Sequence, residues 1–361
     1  MIKVGITHGD INGIGYEVIL KALSDARILE ICTPVIYGSA KVAAYYRKAL
    51  DIQNINLSII NNAQQIAQNR ISIINCVDEE IKVEISKSTQ SAGESAYAAL
   101  EKATKDLKDN LIDVLITAPI NKNNIQNDNF KFPGHTEYLQ ETLGNGEKAL
   151  MILASENLRV ALVTGHIPLA EVPQKLTIEE IVSKLKDFNK SLIVDFGIPS
   201  PRIAVLSLNP HAGEEGLLGK EEKEIIIPAM QEAEKQKIMC FGPYPSDGFF
   251  GSGAFDKFDG ILAMYHDQGL TPFKTLAMEA GVNFTAGLPF VRTSPDHGTA
   301  YDIAGKNLAS EDSFRNALYM ALDIFNNRNT YKEITVNPLK KQYFERGSDN
   351  EKLDLTKEEE S

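Results

Sequence analysis

The chain has 361 residues, and at about 150 residues per domain this length predicts two domains, with three as an upper bound. Hydrophobic residues make up 43% and charged residues 24% of the sequence, the balance of a folded globular protein rather than a disordered one. The 37 Lys and Arg residues against 49 Asp and Glu residues give a formal charge of −12, which argues against a binder of nucleic acid or anionic membranes. A small anionic substrate is not excluded, because a local cationic pocket can lie within an acidic protein.

The cysteines and the N-terminus indicate the cellular compartment of the protein. Cys32, Cys76 and Cys240 are far apart in the sequence, which favours neither a disulfide framework nor a thiolate zinc site. The first residues, MIKVGITHGD, lack the basic and apolar regions of a secretory signal. No run of about 18 apolar residues is present, so the sequence predicts no membrane span. We therefore expect a soluble, cytoplasmic enzyme.

Short β-branched runs alternate with helical patterns along almost the whole chain. Strands are predicted at 3–7, 34–37, 113–117, 159–164, 202–208, 259–264 and 282–286, and helices at 16–23, 92–107, 178–188, 221–234 and 271–280. Such alternation is typical of βαβ units around a largely parallel sheet. Ligands bind these sheets beyond the carboxyl ends of the strands, so the residues just after each strand are the first candidates for a site.

Two stretches are candidates for a crossing between domains. One is the Asn-rich segment 121–130, and the other is the turn-rich segment 287–298, GLPFVRTSPDHG. The last 17 residues, 345–361, are polar and largely acidic. We interpret them as a solvated tail without a function of its own.

Three of the six histidines end predicted strands. His166 ends RVALVTGH, His211 ends RIAVLSLNPH and His266 ends DGILAMYH. Because the carboxyl ends of neighbouring parallel strands share an edge, we expect these three imidazoles to lie close together. As neutral nitrogen ligands they would bind a divalent metal and leave coordination positions open for substrate or water. The alternative for each is a loop histidine that is hydrogen-bonded to the backbone. The spacing does not choose between zinc and a harder ion.

Other polar residues are predicted near this edge of the sheet. His135 and Thr136 follow the chain break in FPGHTEYL, where a helix N-terminus holds an anion such as phosphate or is simply capped by Thr136. Lys274 and Arg292 stand among apolar and proline neighbours, which makes them candidates to bind a carboxylate or phosphate rather than plain surface charges. Asn283 lies in the strand between them.

The sequence does not decide the role of two carboxylates and one glycine-containing turn. Asp247 in PYPSDGFF and Asp267 in YHDQG are candidates for a general base or for a partner that orients a histidine, and the sequence does not rank them. The turn GDINGIGYE follows the first strand and opens a helix, which is where a phosphate cradle would lie. Its spacing is neither the dinucleotide fingerprint nor a Walker loop. His8 and His297, taken singly, are interpreted as structural.

Several long segments together resemble one known family. The segments TAPINK, FPGHTEYL, LNPHAGEEGLLGKEE, YHDQGLTPFK and GVNFTAGLPFVRTSPDHGTAYDIAGK are similar to the 4-hydroxythreonine-4-phosphate dehydrogenase family of vitamin B6 synthesis. The resemblance keeps its order from about residue 3 to about residue 330. The stretch HGTAYDIAGK also resembles the NAD-proximal loop of the isocitrate and isopropylmalate dehydrogenases, which share the family's fold.

The resemblance implies an architecture and a set of site residues. It implies two α/β/α domains of the isocitrate-dehydrogenase type, residues 1–130 with 290–340 and residues 131–289, in a homodimer whose cleft active site is shared between subunits. It assigns metal binding to His166, His211 and His266, substrate binding to His135, Thr136, Lys274, Asn283 and Arg292, and a place near NAD to His297, Asp302 and Lys306 in the 297–306 loop. Zinc, magnesium and cobalt stay open as the metal, and NADP stays open beside NAD.

The resemblance also implies a reaction. The expected enzyme oxidises 4-phosphooxy-L-threonine at C3 with NAD to 2-amino-3-oxo-4-phosphooxybutanoate. That product decarboxylates to 3-amino-1-hydroxyacetone 1-phosphate in pyridoxal 5'-phosphate biosynthesis. Relatives act on phosphorylated four-carbon sugar acids or on a cyclic dihydrodiol acid, so the substrate stays open. A metal-dependent hydrolase or lyase would use the same three histidines, although DHGTAYDIAGK argues against it.

The first turn departs from the family's usual T-P-G-D-P-A-G-I-G-P-E. Here it reads THGDINGIGYE, so three prolines and one alanine are replaced by His8, Ile11, Asn12 and Tyr16. Asp10, Gly13, Gly15 and Glu17 are retained. Loss of prolines loosens the turn in the unfolded state, which leaves the conformation of the folded turn open.

Overall fold

The computed structural model describes residues 1–78 and 80–338, and in this part of the chain strands and helices alternate. The strands are β1 (Ile2–Thr7), β2 (Cys32–Gly38), β3 (Leu57–Ile60), β4 (Ile71–Asn75), β5 (Val114–Thr117), β6 (Leu150–Ala154), β7 (Arg159–Leu162), β8 (Arg202–Leu206), β9 (Met239–Tyr244), β10 (Gly260–Ala263), β11 (Val282–Ala286) and β12 (Val291–Pro295). The helices are α1 (Gly15–Leu23), α2 (Ile28–Ile31), α3 (Ala40–Ala49), α4 (Gln90–Lys108), α5 (His135–Leu143), α6 (Val172–Lys175), α7 (Ile178–Val194), α8 (Ile227–Lys235), α9 (Ser246–Gly251), α10 (His266–Ala277) and α11 (Asp312–Val336). Short 3₁₀ and π segments lie between them.

These strands form one 12-stranded sheet in the order β3-β4-β2-β1-β5-β12-β11-β6-β7-β10-β8-β9. Pairing is antiparallel between β11 and β12, between β11 and β6, and between β6 and β7, and it is parallel elsewhere. The prediction of a largely parallel α/β sheet is therefore confirmed. The three antiparallel pairings at the centre reverse the sheet, so β7 to β9 run opposite to β1 and β5.

The order of the strands bears on the predicted domains. Strands drawn from 1–130 and 290–340 occupy one side of the sheet, from β3 to β12, and strands drawn from 131–289 occupy the other side, from β11 to β9. One continuous sheet joins the two sides. The division into two domains therefore stays a prediction.

Helices cover both faces of this sheet, which explains its buried strands. Alternate residues of β5 pack into different clusters: Val114 and Ile116 contact the cluster that includes residues of α1, and Leu115 contacts the cluster that includes residues of α4. Because successive side chains of a strand point to opposite faces, this alternation places an apolar layer on each face of the sheet. Such two-sided burial selects the continuous apolar runs that the sequence shows.

All seven predicted strands and all five predicted helices are present within a few residues. The predicted helix 221–234 is a π segment, Glu222–Ile226, followed by α8, and the predicted helix 271–280 starts earlier, at His266. The interpretation of 287–298 as turns is wrong in part, because it contains β12 at the centre of the sheet. None of the described helices has the length and hydropathy needed to cross a membrane. The acidic tail, 345–361, lies outside the described residues.

Candidate active site

A cavity of about 340 Å³ is lined by residues from both sides of the sheet. Its walls include the ends of β5, β6, β11 and β12 and the first turns of α5 and α10. Eight predicted site residues lie on this wall: His135, Thr136, His166, His266, Lys274, Asn283, Arg292 and His297. The structure thus gathers most of the residues that the sequence singled out, from five separate segments.

Arg292 is a buried cation with neutral partners. Its side chain is 3% exposed, and its Nε and Nη2 atoms donate to Thr117 Oγ1 at 3.1 and 2.6 Å while Nη1 donates to Thr285 Oγ1 at 3.1 Å. No carboxylate of the described residues forms an ion pair with it. Burial lowers the pKa of Arg292 to about 10, so it stays charged at neutral pH. Because an unpaired buried charge is costly, this arrangement favours a bound anion.

His135 is the buried neighbour of Arg292. It is the first residue of α5, whose N-cap is Gly134 without a side-chain hydrogen bond, so the prediction that Thr136 caps the helix is wrong. Burial, with smaller effects of Arg292 and Lys122, lowers the pKa of His135 well below its usual value. His135 Nδ1 lies 3.4 Å from Arg292 Nη2, and His135 Nε2 has no partner. If Nδ1 accepts from Arg292, the neutral ring carries its proton on Nε2 and can donate it to a ligand.

Lys274 meets a carboxylate that the sequence analysis missed. Lys274 Nζ lies 3.4 Å from Asp296 Oδ2 on the cavity wall. Burial raises the pKa of Asp296, an effect that Lys274 opposes. Asp296 directly follows β12, and a position just after a strand is the same feature that identified the histidines as candidates. Asn283, on the neighbouring strand, carries a buried side-chain oxygen without a partner.

Two further charged residues on the wall were also missed. Lys122 lies in TAPINK, shortly after β5, and Glu137 lies in the first turn of α5. Lys122 contributes to the lowered pKa of both His135 and His166. The cavity therefore carries three cationic side chains, Lys122, Lys274 and Arg292, against two carboxylates, which suits a ligand with more than one negative group.

His166 and His266 face each other, with ring centroids 5.5 Å apart. They follow β7 and β10, which are neighbouring parallel strands, as the sequence predicts. His266 Nδ1 is 2.7 Å from Asp267 Oδ1, a contact that leaves Nε2 as the free nitrogen. Desolvation, with smaller effects of Lys122 and His266, lowers the pKa of His166, which favours its neutral form. Neutral, oriented imidazoles are the form in which histidine binds a metal.

His211 does not join this pair. It follows β8, the other neighbour of β10, but it is exposed and does not line the cavity. Among residues 1–78 and 80–338, no group of three His, Cys, Asp or Glu side chains is arranged to hold a metal ion. His166 and His266 would supply two of the ligands of a divalent ion.

Comparisons with known proteins place the chain in a family. Residues 30–321 match the family described as pyridoxal phosphate biosynthetic protein PdxA. The chain is also 63% identical over 354 residues to the 4-hydroxythreonine-4-phosphate dehydrogenase of Bacteroides thetaiotaomicron, covering 98% of this chain and 97% of that relative. The chain belongs to the PdxA family.

Two more comparisons bear on fold and substrate within the PdxA family. The crystal structure of 4-hydroxythreonine-4-phosphate dehydrogenase from Klebsiella pneumoniae aligns with a TM-score of 0.77 at 33% identity, covering 90% of this chain and 98% of that one. The D-threonate 4-phosphate dehydrogenase of Cupriavidus necator is 39% identical over 329 residues, covering 90% of this chain and 98% of that relative. Both enzymes are named for phosphorylated four-carbon substrates.

The turn that carries His211 has a left-handed backbone. Five successive residues, from His211 to Glu215, have positive φ angles between 42° and 74°. Glu222, 2% exposed, accepts hydrogen bonds from the N–H groups of Leu208 and Asn209, both at 2.8 Å. A Cβ atom on Gly213 would lie 2.6 Å from Glu222 Oε2. The turn therefore requires a glycine there, with Glu222 packed beneath it.

The remaining predicted residues lie away from the cavity of this chain. Asp247 is exposed in α9, and Asp302 and Lys306 are exposed in the loop after β12. None of the three lines the cavity. His297 does line it, with its Nδ1 donating to Gly298 O at 3.1 Å and its Nε2 unpartnered.

Proposed function

We propose that this protein is a 4-hydroxythreonine-4-phosphate dehydrogenase. It would oxidise the C3 hydroxyl of 4-phosphooxy-L-threonine with NAD or NADP, and the resulting β-keto acid would lose carbon dioxide to give 3-amino-1-hydroxyacetone 1-phosphate, a step in pyridoxal 5'-phosphate synthesis. The observation that most supports this proposal is that Arg292 is a buried cation with no anionic partner among the described residues. Its cavity also holds the paired histidines His166 and His266. The relative at 63% identity carries this enzyme's name.

The proposed substrate has two anionic ends, and the cavity offers a site for each. Arg292 and His135 lie together and bind one end, with Arg292 donating to it from the N–H groups that Thr117 and Thr285 do not use. Lys274, on the wall with Asp296, binds the other end as a point charge. Holding both ends fixes the secondary hydroxyl between them, which supplies the orientation that the chemical step needs.

His166, His211 and His266 would hold one divalent ion, with zinc, magnesium and cobalt as candidates. Such an ion, when bound, would polarise the substrate hydroxyl and stabilise negative charge on its oxygen. Asp267 keeps His266 in the tautomer with a free Nε2. Since one chain gathers only His166 and His266, we propose that His211 reaches the site from a second subunit of a homodimer.

The dinucleotide would accept the hydride from C3. We propose that it lies beside the loop that follows β12, with His297 and, more distantly, Asp302 and Lys306 near it. In this proposal the two sides of the sheet are two domains of the isocitrate-dehydrogenase type, and the cavity is the cleft between them. Support for the cleft comes from its lining, which draws on both sides.

The test is the absorbance of NADH produced by purified protein, NAD, 4-phosphooxy-L-threonine and a divalent metal, with and without chelator. We expect NADH formation that the chelator abolishes. NADH from D-threonate 4-phosphate in place of 4-phosphooxy-L-threonine would move the protein to the activity of its 39% identical relative. Turnover of the substrate without any need for NAD would favour a metal-dependent hydrolase or lyase.

A further inference from the structure

The turn after β1 does not cradle a phosphate. Its residues from 9 to 17 are all buried. The N–H groups of Asp10 and Ile14 donate to Pro119 O at 2.9 Å and Thr299 O at 3.0 Å. A Cβ atom on Gly13 would lie 2.6 Å from Thr299 O. The turn therefore packs against the protein itself, and its partner is the loop after β12.

Asp10 attaches the middle of that loop. It is 1% exposed, and its Oδ2 atom accepts from Tyr301 Oη at 2.7 Å and from Asn124 Nδ2 at 2.8 Å. Its Oδ1 atom accepts from the N–H of Asn12 at 2.8 Å. Three donors bind this buried carboxylate, and hydrogen bonds to a charged acceptor are the strong ones.

Glu17 attaches the end of the same loop. It is fully buried and forms an ion pair of 2.8 Å with Lys21 Nζ. Glu17 Oε1 also accepts from the N–H of Ala309 at 3.0 Å, and Lys21 Nζ donates to Ala309 O at 2.7 Å. Both backbone polar groups of Ala309 are therefore bound by α1.

The attached loop, residues 297–309, borders the cavity. His297 and Gly298 are on the cavity wall, and Tyr301 Oη also lies 3.2 Å from Asn121 Nδ2, next to Lys122 on that wall. Thr299, Tyr301 and Ala309 are thus three attachment points, all made by the turn or by α1. The loop's position beside the cavity depends on them.

The side chains that differ from the family's usual turn sequence make their contacts outside the 297–309 loop. Asn12 bonds to Lys87 O and to Thr89 Oγ1 in the segment before α4. His8 stacks on Tyr16, with ring centroids 5.2 Å apart. The turn can therefore differ at these positions while Asp10, Gly13 and Glu17 still contact the loop.

We propose that Asp10 and Glu17 are positioning residues for dinucleotide binding, and that they act by fixing the 297–309 loop beside the cavity. The inference rests on the proposed function, in which this loop lies near the dinucleotide. Neither carboxylate touches the cofactor; each acts through the loop. Among the described residues, neither Asp10 nor Glu17 forms a hydrogen bond with Arg292, His135 or Lys274 on the substrate-binding wall.

The test compares dinucleotide affinity with substrate affinity in Tyr301→Phe, which removes one hydroxyl and keeps the ring. NADH is titrated by its fluorescence, and inorganic phosphate is titrated by calorimetry. We expect NADH to bind about tenfold more weakly, the equivalent of roughly one of the two hydrogen bonds that this hydroxyl forms with Asp10 and Asn121. Phosphate should bind as it does to the unmodified protein. Asp10→Asn is the second variant and is expected to act in the same direction.

Tyr37→Phe is the matched control. Tyr37 Oη donates to Asp106 Oδ2 at 2.8 Å, and both residues are buried on the same side of the sheet. The control loses the same kind of bond away from the loop, so it should lower stability in urea and leave NADH affinity unchanged. Equal NADH affinity in Tyr301→Phe and the unmodified protein, or equal weakening in the control, overturns the inference. Failure of the unmodified protein to bind NADH at all overturns the proposed function instead.

Discussion

Arg292 is the main anion-binding side chain that we propose for the cavity. Its three contacts with Thr117 and Thr285 fix the guanidinium plane, and lysine has neither that plane nor the fork of donors. We expect Arg292→Lys to raise KM for the phosphorylated substrate about 100-fold, the equivalent of about 2.7 kcal/mol, through loss of two charge-assisted bonds. Initial rates of NADH formation over a substrate series measure this effect.

Arg159 provides the control for that substitution. It lies in a separate cavity, over the ring of Phe196 at 4.9 Å, and its Nη2 atom donates to Glu156 O at 3.2 Å. Arg159→Lys removes a comparable guanidinium at a distance from the proposed substrate. A KM that rises as much in Arg159→Lys as in Arg292→Lys would mean that the loss is a general effect of disturbing the fold.

His8 makes a separate prediction about acid stability. Burial lowers its pKa from 6.5 to about 4, so the unfolded chain binds a proton at this position more readily than the folded protein does. Stability from a neutral His8 is complete above about pH 6.5 and is lost as the pH falls towards 4, by about 3 kcal/mol in total. Urea unfolding at pH 7.5 and pH 4.5 should show a smaller acid loss in His8→Phe, which keeps a ring on Tyr16. An unchanged acid loss would contradict this assignment.

The residues of the site were predictable to different degrees. The histidines that end strands were predicted as site residues because one short segment of sequence shows the strand, its end and the titratable side chain. Asp296 was missed because its role depends on Lys274, which comes from another segment. His135 and Arg292 were found singly, whereas their contact across 157 positions is a property of the fold alone.

At the scale of the element, the turn from Pro210 to Gly216, which carries His211, is constrained by its left-handed backbone. Left-handed backbone costs an L-residue about 1 kcal/mol or more, and at Gly213 the neighbouring carboxylate adds a steric limit. We expect Gly213→Ala to lower the free energy of unfolding by about 2 kcal/mol. Urea unfolding followed by circular dichroism measures the change.

Gly248 is the matched position for this prediction. It lies in α9, its φ is not positive, and a Cβ atom there would meet nothing within 4 Å. Gly248→Ala should be neutral or should stabilise by up to about 1 kcal/mol, as alanine does in helices. Equal destabilisation by both alanines would show that the backbone of the turn is not the cause.

Seven of the strands were predictable because one rule suffices for them, whereas β3, β4, β6, β9 and β12 were not predicted. Strands such as β5 and β10 are continuous apolar runs, because both faces of the sheet are covered. β12 was missed because VRTSP contains an arginine and a proline, and its burial depends on Thr117 and Thr285 accepting from Arg292. β3 was missed because its four residues are only partly buried. Long-range partners, which one sequence does not reveal, decide both cases.

At the scale of the whole molecule, the homodimer proposed above, in which His211 would reach the site from a second subunit, predicts complementation between subunits. Co-expression of His211→Ala with His266→Ala should restore activity, because one site of each mixed dimer receives all three histidines. With random pairing about a quarter of the sites are intact. NADH formation by the co-purified mixture, compared with each variant alone, gives the result.

The control pairs His166→Ala with His266→Ala. Their rings face each other within one chain, so every site of a mixed dimer lacks one of the two. This mixture should stay inactive. Activity in the control, or none in the first mixture, would mean that the three histidines are distributed between subunits in another way.

The central place of β12 has a consequence for the timing of synthesis. β12 fills the gap between β5 and β11, so the gap stays open until the ribosome has made residue 295. At about 5–20 residues per second, β5 waits on the order of ten seconds with an unpaired edge. A chain that stops before Val291 would lack Arg292 and would expose two unpaired central edges to other chains. Such a truncated product is a candidate for aggregation rather than for partial activity.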